Sequence, residues 1–183
     1  MKQTIKAFVL QVLFWIIVFA TGRTVFLLYH AAFIHEQAIS LAEVLRTYIS
    51  ALKLDLATAS YFMFIPLFLL FLKALFPYKA FDRITRVYTA IMLFLYSLVI
   101  TGECGVYMEW KTKLHYKALQ YLMHPSEIYN TSSSSGFFLL LVIFFLMVLL
   151  LYWLFSRYFY HPPQEPIRPR YKAFLLLFFL LAC

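Results

Sequence analysis

The sequence predicts an all-α, polytopic transmembrane domain: four complete spans, a truncated fifth, and one or two amphipathic helices lying in the interface on the outer face. Three observations carry that prediction. Of 183 residues, 64% are hydrophobic and 13% charged, and Phe alone occurs 21 times; a soluble domain has roughly half and a quarter. A soluble body of this size has too little interior to hide so much apolar side chain. The apolar residues fall in runs of the ~20 residues that cross ~30 Å of hydrocarbon. Finally, the formal net charge of +8 gathers in alternate segments between those runs. That is the positive-inside pattern of a multi-span chain, not the single basic face of a nucleic-acid binder. Disorder and a disulfide scaffold are excluded by the same composition.

Span one covers residues 7–29 and follows Lys2 and Lys6. It is too long for a signal-peptide core and has further spans behind it. In the next segment, 38–52, Ile39, Ala42, Leu45, Tyr48, Ile49 and Leu52 recur at helical spacing, which predicts a helix lying against the outer face. Span two covers 54–75, with Pro66 in its middle. Segment 73–86 holds Lys73, Lys79, Arg83 and Arg86 against Asp82, leaving +3.

Span three covers 87–108. After it, segment 108–123 sets Trp110, Leu114, Ala118, Tyr121 and Leu122 on one stripe beside Lys111, Lys113 and Lys117, a second amphipathic helix whose lysines can snorkel. Pro125 and the polar run that follows it break that helix and turn the chain into span four, 137–156. Span four is uncharged, and Tyr152, Trp153, Tyr158 and Tyr160 make an aromatic girdle at its basic end. Segment 157–172 again leaves +3, from Arg157, Arg168, Arg170 and Lys172 against Glu165. The fifth run, 171–183, is still apolar at Cys183; at ~1.5 Å per residue it covers about 20 Å, two thirds of a bilayer. The expectation is the front of a longer protein, with a shallow terminal hairpin as the alternative. Placing 1–6, 73–86 and 157–172 in the cytoplasm sends the odd spans outward and leaves 30–53 and 109–136 outside.

Three charges fall where they are costly. By helical rise Arg23 in span one and Glu103 in span three reach nearly equal depth, roughly 6 Å from the outer edge of the hydrocarbon, and Asp55 enters span two from the same side. An unpaired charge there costs roughly several kcal/mol, so pairing, or snorkelling without a partner, is expected. Arg23 is expected within hydrogen-bonding reach of Asp55, Glu103 or both, as a structural clamp or, alternatively, as a grip on a lipid headgroup. Other chemistry is poorly supported. The five histidines contain no His-x-x-x-His pair, so no metal site is expected in this chain. Cys104 and Cys183 lack redox or zinc spacing, and Ser132–Ser135 has no neighbour to activate it as a nucleophile. No catalytic or cofactor-binding residue is assigned.

The stretches "TGRTVFLLY" (21–29), "ALKLDLATASYFMFIPLFLL" (51–70) and "GVYMEWKTKLHYKALQYLMHPSEIYNTSSSS" (105–135), in this order among five apolar runs, resemble the membrane region of lipoteichoic-acid-synthase-like proteins. These are phosphoglycerol transferases of the sulfatase/alkaline-phosphatase superfamily, and the likeness is to members from Gram-negative, Bacteroidetes-type bacteria. It spans essentially the whole chain, and the positions that match in the membrane part are Arg23, Asp55, Glu109, Trp110 and Tyr116. The resemblance implies a bacterial inner-membrane protein whose fifth span leads to an extracytoplasmic α/β domain beyond residue 183. That domain would carry a Thr nucleophile and a divalent metal (Mn, Mg or Zn). It implies a membrane module that orients a lipid-headgroup phosphotransferase or sulfatase-like hydrolase, with membrane phospholipids and its own C-terminal domain as partners and no nucleic acid. The competing readings are a fragment of a transporter or channel, and a non-catalytic anchor or assembly subunit.

Overall fold

The computed structural model describes residues 2–76, 78–110 and 134–160. Its helices are α1 (Lys2–Tyr29), α2 (Ala31–Glu36), α3 (Leu41–Leu75), α4 (Ala80–Trp110) and α5 (Ser134–Leu154), the last closed by a π-helical turn, Phe155–Phe159. All regular structure among the described residues is helical. Four helices are long and apolar enough to cross a membrane, over Lys6–Tyr29, Leu41–Lys73, Ala80–Met108 and Gly136–Phe159, and they contain the first four expected spans.

The helices alternate in direction. At one end Gln11 of α1, Lys73 of α3, Asp82 of α4 and Tyr160 after α5 line a common cleft. At the other end Arg23 of α1 meets Asp55 of α3, and His30 after α1 meets Tyr107 of α4 with rings 4.9 Å apart. Between the two ends lies a core drawn from all four long helices, centred on Phe14, Trp15, Val18, Met63, Leu93 and Leu151. Its aromatic rings interlock: Phe14 with Phe155 at 5.0 Å, Trp15 with Phe62 at 4.9 Å, Phe19 with Tyr96 at 5.3 Å. Such pairs contribute ~0.5–1.5 kcal/mol each beyond burial. Lipid is as apolar as the core, so close packing rather than the hydrophobic effect holds the bundle together.

Small residues along α4 show how close approach is achieved. Its buried row carries Thr85, Thr89, Ser97, Thr101 and Cys104, small side chains that let neighbouring helices come near. The threonine hydroxyls donate to carbonyls one turn back, Thr85 to Phe81, Thr89 to Thr85 and Thr101 to Ser97, at 2.8–2.9 Å, and so bury no unsatisfied polar group. At Gly105 an added Cβ would stand 3.1 Å from Leu140 Cδ1 of α5. Ser97 Oγ, fully buried, has no hydrogen-bond partner among the described residues.

Proline inside α3 is accommodated by a neighbour. Pro66 lacks the N–H that would bond the Phe62 carbonyl one turn earlier. The Tyr88 hydroxyl of α4 donates to that carbonyl at 3.1 Å, so the group freed by the proline stays satisfied inside the bundle.

One expectation is corrected. Segment 38–52 is not a separate helix: from Leu41 the chain runs as one 35-residue helix to Leu75. Its start is set by a capping box in which Ser40 N donates to the Glu43 carboxylate at 2.9 Å and Glu43 N donates to Ser40 Oγ at 3.3 Å. From there "LKLDLA" (52–57) contains no Gly, Pro or β-branched residue to end the helix. The helix stops at Phe76, with extended backbone (φ −124°, ψ 103°), as expected of a residue that precedes proline. At ~1.5 Å per residue, the rise from Asp55 to Leu75 alone is about 30 Å, a full hydrocarbon thickness, so the 35-residue helix is longer than one crossing needs. The second amphipathic segment (108–123) beyond Trp110, the turn at Pro125 and the fifth run (171–183) lie outside the described residues.

Candidate functional site

Charge is concentrated at the two ends of the bundle, and each end is organised by one ion pair. At the first, Arg23 of α1 reaches across to α3. Its Nη1 donates to Asp55 Oδ2 and its Nη2 to Asp55 Oδ1, both at 3.1 Å. This two-pronged geometry fits a planar guanidinium and is not open to lysine. The side chains keep 22% and 12% exposure, which places the pair at a rim rather than in a sealed core. The guanidinium also lies 5.4 Å from the Tyr48 ring centroid, and the Tyr48 hydroxyl is 2.9 Å from Thr24 Oγ1. Arg23 is thus held by two residues of α3, Tyr48 and Asp55, two turns apart on that helix.

Glu103 does not join this pair. Arg23 and Glu103 share depth, but no ion pair connects them. Helical rise sets depth and leaves azimuth open, and the arginine fork is already occupied on the α3 side. What lies among the three charges is Tyr96, whose hydroxyl is within electrostatic reach of Asp55, Arg23 and Glu103 and donates to the Phe19 carbonyl at 3.4 Å. Tyr96 sits directly against Gly22, where a Cβ would collide with the phenol oxygen; the glycine preceding Arg23 makes room for the ring. Sequence reasoning missed Tyr96, and the available signal was a tyrosine seven residues before Glu103, two turns along the same face. Glu109 and Trp110 fall in the last turn of α4, where the structure describes backbone but not these side chains, and Tyr116 lies outside the described residues. Just beyond the pair, His30 is buried among Phe26, Tyr29 and Tyr107, with ring centroids 4.6–5.1 Å away.

The second end was legible only as net charge. There Lys73 Nζ donates to both oxygens of Asp82 at 2.7 and 2.8 Å, tying the end of α3 to the start of α4. The Tyr160 hydroxyl donates to the Asp82 backbone carbonyl at 3.1 Å. Burial, and then the adjacent Asp82 carboxylate, push the pKa of that hydroxyl up, so it stays a donor. A cavity of about 30 Å³ beside this pair, lined by Gln11, Lys73, Asp82, Thr85 and Tyr160, holds a water or two but no headgroup. Among the described residues no group of three or more His, Cys, Asp or Glu converges as metal ligands. No protein-family model, curated protein or solved structure matches this chain.

Proposed function

We propose that this chain is the membrane module of an envelope lipid-headgroup phosphotransferase or sulfatase-like hydrolase, anchoring and orienting an extracytoplasmic catalytic domain at the lipid surface. One observation carries the anchoring part. The two ion pairs stand at opposite ends of the bundle, and the space between them is filled by interlocked Phe14, Trp15, Phe19, Leu93 and Leu151. A transporter needs polar groups along a path through the membrane; a plug of aromatic and aliphatic side chains suits an anchor. The enzymatic part rests on the sequence resemblance, with phosphoryl chemistry in a domain beyond Cys183 through a Thr nucleophile and a divalent metal.

In this reading the bundle sits in a bacterial inner membrane with the Lys73–Asp82 end in the cytoplasm. Among the described residues, Lys73, Lys79, Arg83, Arg86 and Arg157 face a single acid at that end, whereas Glu36, Glu43, Asp55 and Glu103 outnumber Arg23, Arg46 and Lys53 at the other. Projecting Leu41–Lys53 then rises on the periplasmic side. Single cysteines at Lys79 and Ser40, probed with a membrane-impermeant maleimide in intact spheroplasts, test the orientation: Ser40→Cys should label directly and Lys79→Cys only after permeabilisation. The coding sequence beyond Cys183 tests the catalytic part. An α/β domain with an early Thr and Asp/His metal ligands is expected, and further membrane spans in its place would defeat the proposal.

A further inference from the structure

We infer that the first two turns of α4 form a binding site for the headgroup of an anionic phospholipid, at the end of the bundle opposite the Arg23–Asp55 pair and independent of any catalytic domain. Lys79, just before α4, and Arg83 and Arg86 within it are exposed, and the two arginines, at i and i+3, stand one turn apart on neighbouring positions of the helix surface. The nearest acid is unavailable to them. Both Asp82 oxygens are taken by Lys73, and no carboxylate among the described residues pairs with Arg83 or Arg86. An uncompensated pair of guanidiniums one turn apart matches the spread of oxygens on a phosphodiester, which arginine binds by paired N–H donors.

Arg86 is also oriented in advance. Its guanidinium lies 5.6 Å from the Tyr160 ring centroid, a cation–π distance. That ring is fixed from two sides. Its hydroxyl donates to the Asp82 carbonyl, and its backbone N–H closes the π turn on the Phe155 carbonyl at 2.8 Å. The unusual end of α5 therefore has a local consequence: it delivers a rigid aromatic platform to a basic residue of the neighbouring helix.

The same face of α4 says which phosphate is bound. Below Arg83 run Val87, Ile91, Phe94 and Leu98, all about half exposed. From Val87 to Leu98 the helix rises roughly 16 Å, close to the depth of one leaflet. A ligand with its phosphate on Arg83 and Arg86 lies with its tails along this stripe, which inorganic phosphate or a soluble phosphate ester cannot use. Negative charge at the start of a helix is further favoured by the backbone dipole.

The test is competitive lipid binding to the purified chain in a nonionic detergent, read by native mass spectrometry with equal amounts of phosphatidylglycerol and phosphatidylcholine. Wild type should retain phosphatidylglycerol preferentially. Removing both charges in Arg83→Gln/Arg86→Gln should weaken that retention about 30-fold, from the contribution of two surface cations, and Arg83→Lys/Arg86→Lys should fall between. Arg46→Gln/Lys53→Gln removes two charges at the other end and should leave the preference intact. Circular dichroism checks the fold of each variant; if the double glutamine variant is misfolded, Arg83→Gln alone should lose about fivefold. An unchanged preference in the folded arginine-to-glutamine variants would overturn the site. Equal loss in the distant control would reduce it to net charge. Complete displacement of phosphatidylglycerol by millimolar inorganic phosphate would make it an ion site, and so defeat the lipid assignment.

Discussion

Replacing Tyr88 by Phe isolates one oxygen atom whose task is set by a residue on another helix. The Tyr88 hydroxyl donates at 3.1 Å to the Phe62 carbonyl, the carbonyl that Pro66 cannot serve because it has no N–H. Removing the hydroxyl leaves the ring in place and strips its donor from a backbone acceptor in an apolar setting. An abandoned buried acceptor costs about 1–3 kcal/mol, while hydrogen bonds between membrane helices average nearer 0.6. Tyr88 is only half buried, so roughly 1–1.5 kcal/mol is expected. The informative partner is Pro66→Ala, which restores a backbone N–H aimed at the same carbonyl. In that background Tyr88→Phe should cost less than about 0.5 kcal/mol, a coupling of the size that double-mutant cycles resolve for residues in contact. Unfolding by SDS titration in mixed micelles, followed by circular dichroism, measures all four corners. Equal costs for Tyr88→Phe with and without Pro66 would refute the reasoning, because the hydroxyl would then not be compensating for the proline.

The remaining predictions concern the Arg23 end and the buried row of α4. Arg23→Ala should destabilise by about 3 kcal/mol by stranding Asp55, whereas Arg23→Leu with Asp55→Leu should recover most of that loss in the same titration. Glu103→Gln should stay within about 0.5 kcal/mol of wild type, since Glu103 makes no ion pair with Arg23. Gly22→Ala should cost about 1–3 kcal/mol, because the new Cβ must displace the Tyr96 ring. Ser97→Ala should be neutral or stabilise by about 1 kcal/mol, as it deletes a buried hydroxyl that has no partner among the described residues; a clear loss of thermal stability by fluorescence-detected gel filtration would point to a role for that hydroxyl.

How much of this was legible beforehand depends on which physical quantity each feature needed. Four long helices follow from run length, which hydropathy measures directly. Helical rise brought Arg23 and Asp55 to one level, and charge attraction across two adjacent helices did the rest. The same arithmetic included Glu103, because rise carries no information about which side of a helix a residue faces. Segment 38–52 was misread for a different reason. Of its apolar stripe, Ile39, Leu45, Ile49 and Leu52 are exposed, which suits a helix lying in an interface, but no breaker separates it from span two. The Lys73–Asp82 pair was counted as loop charge, although it is a contact between the ends of two helices. Tyr88 and Pro66 lie on different helices 22 positions apart in sequence, and only their spatial approach makes the proline's missing donor and the tyrosine's hydroxyl a single feature.

The 35-residue length of α3 has a mechanical consequence. Below Asp55 the helix is clasped by its neighbours. Above it, the fourteen residues to Leu41 form a stiff arm of about 21 Å, and the two-pronged bond to Arg23 acts at the arm's root, where a sideways load has its greatest moment. Because a bidentate contact resists rotation as well as separation, it sets the angle at which the arm leaves the bundle. Loss of Arg23 would leave the arm tied to α1 through Tyr48 and Thr24, and so loosen that angle while leaving the helix intact. Whatever is joined near Ser40 would then tilt toward the headgroups, a change of height that distance measurements between spin labels at Ser40 and Tyr61 and a lipid-surface label would register.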